Sequence, residues 1–325
     1  MDHSPGVYRA WAILALFPLG MARSTGQQVP PVDPQEPDTY RISVNVDLVV
    51  LHATVRDGKG RFASNLRAQD FKVYEEGVRQ TIRLFRHEDT PVTVGLVVDH
   101  SGSMKRKLAD VITAARTFVR ASNPEDEMFV VNFNEHVSLG LPESTRFTNR
   151  PDELENAILK TPADGMTALY DAVSVALGRL QTGGREKKVL IVISDGGDNA
   201  SKRKLAEALT MAAKSSALVY TVGIFDEDDP DRNPGVLNRL ARATGGEAYM
   251  PDNFSALPAV CERIARDIRH QYTIGYVPAN PAQRGAYRAI RVVAAAAGAG
   301  KLSVRARDGY VAGGESPPFK DGADR

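Results

Sequence analysis

Two five-residue runs with no polar side chain, residues 94–98 (VGLVV) and 189–193 (VLIVI), constrain the fold of this chain most. A strand that is buried on one face alternates apolar and polar side chains, whereas a strand buried on both faces is apolar throughout. Segments with apolar residues at helical spacing follow both runs. The pattern predicts an α/β fold over residues 90–269, with a doubly wound, mostly parallel sheet and helices on both faces.

The predicted elements of this central part alternate between strand and helix. In chain order they are strand 94–98, helix 108–119, strand 128–133, helix 169–180, strand 189–193, helix 205–213, strand 219–224, and helices 237–243 and 257–268. In open α/β sheets, ligands bind beyond the carboxyl ends of the strands. Polar residues at those ends are therefore the first candidates for a functional site.

The segments on either side of the central part, residues 40–89 and 270–312, both show the alternation of β-strands. A slip in the phase of the alternation between Val46 and Val49 predicts a β-bulge, and residues 57–60 (DGKG) predict a tight turn. Three or four strands alone would leave exposed sheet edges. We therefore expect the two flanks to form one β-sandwich-like domain, and the alternative is two separate small sheets.

The two ends of the chain have the composition of targeting and linker segments. Arg9 precedes the apolar run 10–17 and small residues follow, so residues 1–22 are predicted to be a signal peptide, with an uncleaved membrane anchor as the alternative. Residues 23–39 are predicted to be a Pro-rich linker, and residues 313–325 a disordered tail. No later segment is apolar over a membrane-spanning length. The expected location is periplasmic or extracellular.

Charge and cysteine content exclude several classes of protein. The formal net charge is +1, whereas proteins that bind nucleic acid through its phosphates usually carry a basic excess. A single cysteine, Cys261, excludes an intrachain disulfide and a cysteine-based zinc site. The sequence does not indicate an oligomeric state.

Oxygen-bearing side chains follow the two apolar strands. The first run is followed by Asp99, Ser101 and Ser103, the second by Asp195, and Thr167 lies just before a predicted helix. Carboxylate and hydroxyl oxygens suit a hard divalent cation, most simply Mg²⁺, with Ca²⁺ or Mn²⁺ as alternatives. Two carboxylates balance the charge of the ion, so that a further position remains attractive to an acidic group, an Asp or Glu side chain of a protein partner.

In these residues the sequence resembles the von Willebrand factor type A (VWA) domains over about residues 90–269. The motif Asp99-x-Ser101-x-Ser103, Thr167 and Asp195 match the five positions of the metal-ion-dependent adhesion site of that family. The resemblance implies that the three hydroxyls reach the ion directly, that the two carboxylates act largely through water, and that an acidic ligand completes the shell. The flanks look like those of exported bacterial proteins related to this family.

Residues beside the predicted metal site are weaker candidates for contact with a ligand. They are His100, Gly102 and Met166, of which His100 can also be interpreted as an ordinary exposed loop histidine. Two basic runs, 105–107 and 202–204, are interpreted as solvated helix starts that could also attract an acidic partner.

Two further residues have structural interpretations. Asp198 is interpreted as a solvated loop acid or a helix cap near Ser201, rather than a sixth ligand of the metal. Cys261 lies on the apolar face of a predicted helix, where a small core residue is expected.

Three functional hypotheses remain open at this point. The favoured one is an exported, non-enzymatic protein that binds an acidic group of a protein partner through its metal, in adhesion or in envelope assembly. The second is a metal-dependent phosphate-transfer enzyme with Asp99 as nucleophile, although such chemistry generally needs a second acid where this chain has Ser101. The third is a structural envelope protein in which the metal only stabilises loops.

Overall fold

The computed structural model describes residues 48–225, 232–280 and 285–313. The strands are β1 (Val49–Arg56), β2 (Phe71–Glu75), β3 (Val78–Gln80), β4 (Ile82–Arg86), β5 (Val92–Asp99), β6 (Glu127–Phe133), β7 (Val137–Leu139), β8 (Lys187–Ser194), β9 (Leu218–Gly223), β10 (Ala248–Tyr249), β11 (Tyr272–Tyr276), β12 (Tyr287–Ala294), β13 (Ser303–Arg305) and β14 (Gly309–Val311). The helices are α1 (Leu108–Ala121), α2 (Pro151–Leu159), α3 (Leu169–Leu180), α4 (Leu205–Lys214), α5 (Pro234–Arg242) and α6 (Leu257–Arg269).

A six-stranded sheet in the order β10-β9-β8-β5-β6-β7 forms the centre of the α/β part. Its strand pairs are parallel except for the β6–β7 pair. Every residue of β5, β8 and β9 is buried, as expected for strands covered on both faces. Helix α1 packs against α2 and α6, and α4 packs against α3 and α5. The predicted fold class is therefore confirmed.

Two elements on the β6 side of the central part, and the two-residue strand β10 at the other edge of the sheet, were not predicted from the sequence. Strand β7 is three residues long and largely exposed, so it lacks the apolar alternation that marks a strand. Helix α2 buries only Leu154, Ala157 and Ile158, which is too short an apolar pattern to identify a helix. Both elements lie beside β6 at the edge of the sheet.

Two four-stranded sheets, here called the flank sheets, combine strands from both ends of the described chain. Their orders are β13-β1-β11-β4 and β14-β12-β2-β3. Strand β1 pairs antiparallel with β11, and β2 with β12. Side chains from both sheets share one hydrophobic cluster, which includes Leu51, Phe71, Tyr272 and Ile290. The two flanks thus pair with each other, and the alternative of two separate small sheets is wrong for these strands.

Several predictions concern residues outside the described part of the chain. They are the signal peptide (1–22), the linker (23–39), the strand start with its bulge before residue 48, and the tail beyond Gly313. Among the helices that the structure does describe, none combines the length and apolar character needed to cross a membrane.

A buried carboxylate connects the flank sheets to the central part. Asp267, near the end of α6, has a fully buried side chain that forms ion pairs with Arg305 on β13 and, at 3.3 Å, with Arg56 on β1. The hydroxyl of Tyr220 on β9 donates to the same carboxylate at 2.5 Å. Glu247 adds ion pairs of 3.1 Å to Arg56 and 3.4 Å to Arg305. The group therefore fixes one flank sheet against α6 and β9.

We predict that Asp267→Ala lowers the free energy of unfolding by about 1–3 kcal/mol, because Arg56 and Arg305 lose one of the two carboxylates that they share and keep only Glu247. Denaturant titration monitored by circular dichroism measures the change. The matched control is Asp252→Ala at an exposed position, for which we expect a change within about 0.5 kcal/mol. Equal stability of the two variants would contradict this role of Asp267.

Candidate functional site

Two buried carboxylates lie at the carboxyl ends of the neighbouring strands β5 and β8. Asp99 is the last residue of β5 and Asp195 directly follows β8, and the parallel register that pairs Val98 with Ile193 brings these ends together. The exposed fractions of the two residues are 0% for Asp99 and 2% for Asp195. The Ser194 hydroxyl donates to Asp99 Oδ2 at 2.6 Å.

Burial, together with the nearby charge of Asp195, raises the pKa of Asp99 to about 7. Hydrogen bonds from Ser194 and Ser101 act in the opposite direction, because they favour the ionised carboxylate. Two adjacent carboxylates in a buried site carry a large desolvation cost when both are charged. A bound cation would offset that cost.

Two hydroxyls of the loop after β5 connect the two carboxylates. The backbone N–H of Ser101 donates to Asp99 Oδ1 at 2.8 Å, and the oxygens Ser101 Oγ and Ser103 Oγ lie 3.1 Å apart. Ser103 Oγ donates to Asp195 Oδ2 at 2.6 Å. The structure thus brings four of the five predicted residues into one hydrogen-bonded set.

The fifth predicted residue, Thr167, is held between the loops that follow β5 and β8. On one side, Gly102 N–H donates to the carbonyl of Gly165 at 3.1 Å. On the other side, Asn199 Oδ1 accepts from Thr167 N–H at 2.8 Å, and Asn199 N–H donates to the carbonyl of Thr167 at 3.0 Å. Thr167 is 7% exposed. All five predicted residues therefore lie at one edge of the sheet, at the end of β5 or in loops that are hydrogen-bonded to one another. Their role as metal ligands stays a prediction.

Two glycines in these loops have a backbone conformation that other residues rarely adopt. Gly165 and Gly196 both have φ of +82°. A Cβ at Gly165 would collide with the carboxylate of Glu135, and a Cβ at Gly196 would collide with the carbonyl of Asn233. Both loops of the candidate site therefore depend on a glycine.

The structure corrects the interpretation of His100. It is fully buried and not an exposed loop histidine, because its backbone N–H pairs with the carbonyl of Phe133 and its ring turns inward. Its Nε2 lies 3.2 Å from Asn132 Oδ1, and burial lowers the pKa of the ring. The buried ring cannot contact a ligand at the surface. By contrast, Gly102 is exposed, and Met166 is 53% exposed.

The basic runs beside the site are exposed as predicted, with the exception of Lys107. Its side chain is fully buried and its Nζ donates to the carbonyl of Ile224 at 3.3 Å, so the interpretation of this lysine as solvated is wrong. The 3-10 turn at Gly102–Met104 precedes α1, and it brings position 107 to the inner side of the chain. Lys105, Arg106 and residues 202–204 are exposed.

Asp198 and Cys261 have the structural roles predicted for them. Asp198 Oδ2 accepts from Ser201 Oγ at 2.6 Å and from Tyr170 N–H at 2.9 Å, so it caps the first turn of α3. Cys261 is buried in the central core, and burial raises the pKa of its thiol to about 12.

Sequence reasoning missed three residues that position the site. Ser194 hydrogen-bonds Asp99, Asn199 holds the backbone of Thr167, and Glu135 Oε2 accepts from Met166 N–H at 3.0 Å. A signal existed only for Ser194, the polar last residue of an otherwise apolar run. Asn199 lies in the same loop as Asp195 and Glu135 in the loop between β6 and β7, but no spacing in the sequence marks their contacts with residues 166 and 167.

Two of three comparisons relate the chain to known proteins. The family model of the von Willebrand factor type A domain matches residues 93–263. A comparison with curated protein sequences found no match. Among solved structures, the chain is similar to a von Willebrand factor type A protein from Catenulispora acidiphila, with 15% identity, coverage of 82% of this chain and 74% of the other, and a TM-score of 0.49.

Two further solved structures are similar to a smaller part of the chain. One is the von Willebrand factor domain of the type V pili tip protein Mfa5 from Porphyromonas gingivalis, with 15% identity, coverage of 55% of this chain and 95% of the other, and a TM-score of 0.47. The other is BatB from Bacteroides thetaiotaomicron, with 20% identity, coverage of 54% of this chain and 98% of the other, and a TM-score of 0.43.

The span matched by the family model is more than half of the 325 residues, and the chain therefore belongs to the von Willebrand factor type A domain family.

Proposed function

We propose that this chain is an exported, non-enzymatic binding protein that holds a divalent cation at its VWA domain and, through that cation, an acidic group of a protein partner. The predicted ligands are Asp99, Ser101, Ser103, Thr167 and Asp195. The observation that carries the proposal is the 2.6 Å hydrogen bond from Ser103 Oγ to Asp195 Oδ2, which joins oxygens from two loops 92 residues apart.

The donor set fits a hard cation. All five side chains offer oxygen, the preferred ligand of Mg²⁺ and Ca²⁺. In an octahedral shell with metal–oxygen distances of about 2.0–2.1 Å, adjacent oxygens are about 2.9 Å apart. The Ser101–Ser103 and Ser103–Asp195 oxygen pairs, at 3.1 and 2.6 Å, lie on either side of that value. Mg²⁺ is therefore the best-supported ion, with Ca²⁺ and Mn²⁺ as alternatives.

Charge balance supports an acidic partner. Asp99 and Asp195 together would neutralise the two positive charges of the ion, and the other three ligands are neutral hydroxyls. A carboxylate from a partner can then bind the cation without strong repulsion from the protein. Lys105, Arg106 and Lys202 are exposed near the ends of the same two loops and add positive charge around this edge.

The rival hypothesis of phosphate transfer is disfavoured by the environment of Asp99. Both oxygens of its carboxylate accept hydrogen bonds, one from Ser101 N–H and one from the Ser194 hydroxyl, and the residue is fully buried. A carboxylate nucleophile must present an oxygen to its substrate. The third hypothesis, a metal that only stabilises loops, differs from the proposal in predicting no partner binding.

Export is the part of the proposal that rests on sequence alone. Arg9 and the apolar run 10–17 have the layout of a signal peptide. Among the described residues, the free thiol of Cys261 is buried and unreactive, which is compatible with an oxidising compartment. Adhesion and envelope assembly both place such a protein outside the cytoplasm.

We predict that the wild-type protein binds one Mg²⁺ per chain in isothermal titration calorimetry and that Ser103→Ala weakens the binding by roughly 10–100-fold or more, because a direct ligand is lost. The matched control is Ser303→Ala, at an exposed serine on a flank sheet, which is expected to bind as the wild type does. Absence of binding heat in the wild type, or equal affinity of Ser103→Ala, would contradict the proposed site.

A second prediction concerns the glycine that shapes the Thr167 loop. Gly165→Ala should weaken Mg²⁺ binding, because its Cβ would displace Glu135 and strain the positive φ of this loop. Gly178→Ala on α3 is the control, since nothing lies within 4 Å of the added Cβ. Calorimetry on both variants measures the effect, and unchanged affinity in Gly165→Ala would show that the loop does not position a ligand.

The acidic partner is tested with synthetic peptides that carry a central Glu or Asp, compared with matched Gln and Asn peptides. We expect retention of the protein only on the acidic peptides, only with Mg²⁺, and not after chelation. Retention on the Gln peptides or in the presence of chelator would contradict binding through the metal. A melting temperature that rises with Mg²⁺ while no peptide binds would instead support the loop-stabilising hypothesis.

A further inference from the structure

The flank sheet β14-β12-β2-β3 has one face directed away from the hydrophobic core. Its register places Arg79, Tyr74 and Arg291 opposite one another on three adjacent strands. Because side chains alternate along a strand, Lys72 on β2 and Tyr287 on β12 lie on this same face. We call these five residues the outer sheet face.

Three of these residues are cations without a charged partner. Lys72, Arg79 and Arg291 are exposed, and none of them forms an ion pair with any residue that the structure describes. The guanidinium of Arg291 lies 4.6 Å from the centre of the Tyr74 ring, a cation–π contact that restrains it. With strands about 4.8 Å apart, Arg79 and Arg291 are separated by about 10 Å across the sheet.

The opposite end of the outer sheet face presents an aromatic ring. Tyr287 is 58% exposed and its ring lies over Gly309, where a Cβ would collide with it. Glu76 and Asp308 lie close enough to contribute, after burial, to raising the pKa of Tyr287. The acidic groups are therefore at the Tyr287 end of the face, and the unpaired cations cluster around Tyr74.

A groove borders the cationic end. Its volume is about 590 Å³, and its lining includes Gln69, Phe71, Arg79, Gln80 and Ile82. Arg79 belongs to both the groove and the outer sheet face. Both polar atoms of the Gln80 amide are already hydrogen-bonded, to Val78 and Ala279, so the exposed polar groups of this groove include Gln69 and Arg79. An exposed amide beside a cation can bind a ligand that carries hydroxyl groups as well as negative charge.

We propose that the outer sheet face binds an acidic polysaccharide at its cationic end, with carboxylates of the glycan paired to Arg79, Arg291 and Lys72. The planar guanidinium groups match carboxylates in geometry. This binding surface is separate from the metal site and does not require it.

Other anionic partners fit this surface less well. A membrane with acidic lipids is usually bound by clusters of about four to eight basic residues, whereas this face has three. Nucleic acid binding draws most of its affinity from phosphate neutralisation, and the whole chain has a net charge of only +1. An extended peptide cannot pair its backbone with a sheet face, because the main-chain groups there already bond to neighbouring strands.

The test is calorimetric titration of the full chain with polygalacturonate in the presence of EDTA, with neutral dextran as the comparison polymer. We expect binding of polygalacturonate and not of dextran. The double variant Arg79→Ala/Arg291→Ala should bind at least about tenfold more weakly, since charge-assisted contacts are lost. The control is Arg83→Ala, an exposed arginine on β4 of the other flank sheet, which should bind as the wild type does.

Several outcomes would overturn the proposal. Two of them are no binding of polygalacturonate by the wild type and equal binding by the double variant. A third is binding that requires Mg²⁺ and is lost in Asp99→Ala, which would place the carboxylates of the glycan at the metal site instead. Binding to phosphatidylglycerol vesicles but not to polygalacturonate would assign the face to a membrane surface. Because the titration contains EDTA, its result does not depend on the metal site. Absence of polygalacturonate binding would therefore leave the proposed metal-dependent function untouched, and the failure of that function would leave this proposal untouched.

Discussion

The parallel pairing of β5 with β8 is the constraint on which the candidate site depends. Both strands are buried along their whole length, so their register is set by packing in the core rather than by the site. Asp99 and Asp195 leave the sheet at neighbouring points, and hydrogen bonds from Ser194, Ser101 and Ser103 hold their carboxylates. The candidate site therefore combines two buried carboxylates with several hydroxyl groups. We propose a divalent cation as the ligand of this site, because carboxylate and hydroxyl oxygens are its preferred donors.

The flank sheets give the α/β part a fixed neighbour. Their strands come from both ends of the described chain, and the buried carboxylate of Asp267 joins Arg56 and Arg305 of the flank to Tyr220 of the central sheet. A partly buried ion-pair group of this kind is costly to break, because the charges left behind stay largely out of water and have fewer partners. The chain therefore carries the candidate metal site and the cationic sheet face on one framework, and each surface can be altered by substitutions that leave the other in place.

The sequence predicted those parts of the molecule that depend on local pattern. Wholly apolar strands, helical spacing and polar residues at strand ends identified the α/β fold and the loops of the site. Contacts between distant segments could not be predicted in this way, and they explain the corrections. His100 and Lys107 lie within a polar stretch that indicates a solvated loop, yet bonds to Phe133 and Ile224 bury them. The support of Thr167 by Asn199 likewise depends on tertiary structure.

The central claim is that a divalent cation binds among the oxygens at the ends of β5 and β8, and anomalous scattering tests it most directly. Crystals of the protein grown with Mn²⁺ would be measured at a wavelength at which manganese scatters anomalously. The account predicts a single strong peak at coordination distance from the hydroxyl oxygens of Ser101, Ser103 and Thr167, with the carboxylates of Asp99 and Asp195 within reach of a metal-bound water. A map with no peak at this edge of the sheet, from crystals in which Mn²⁺ is present and the loops are free of lattice contacts, would contradict it.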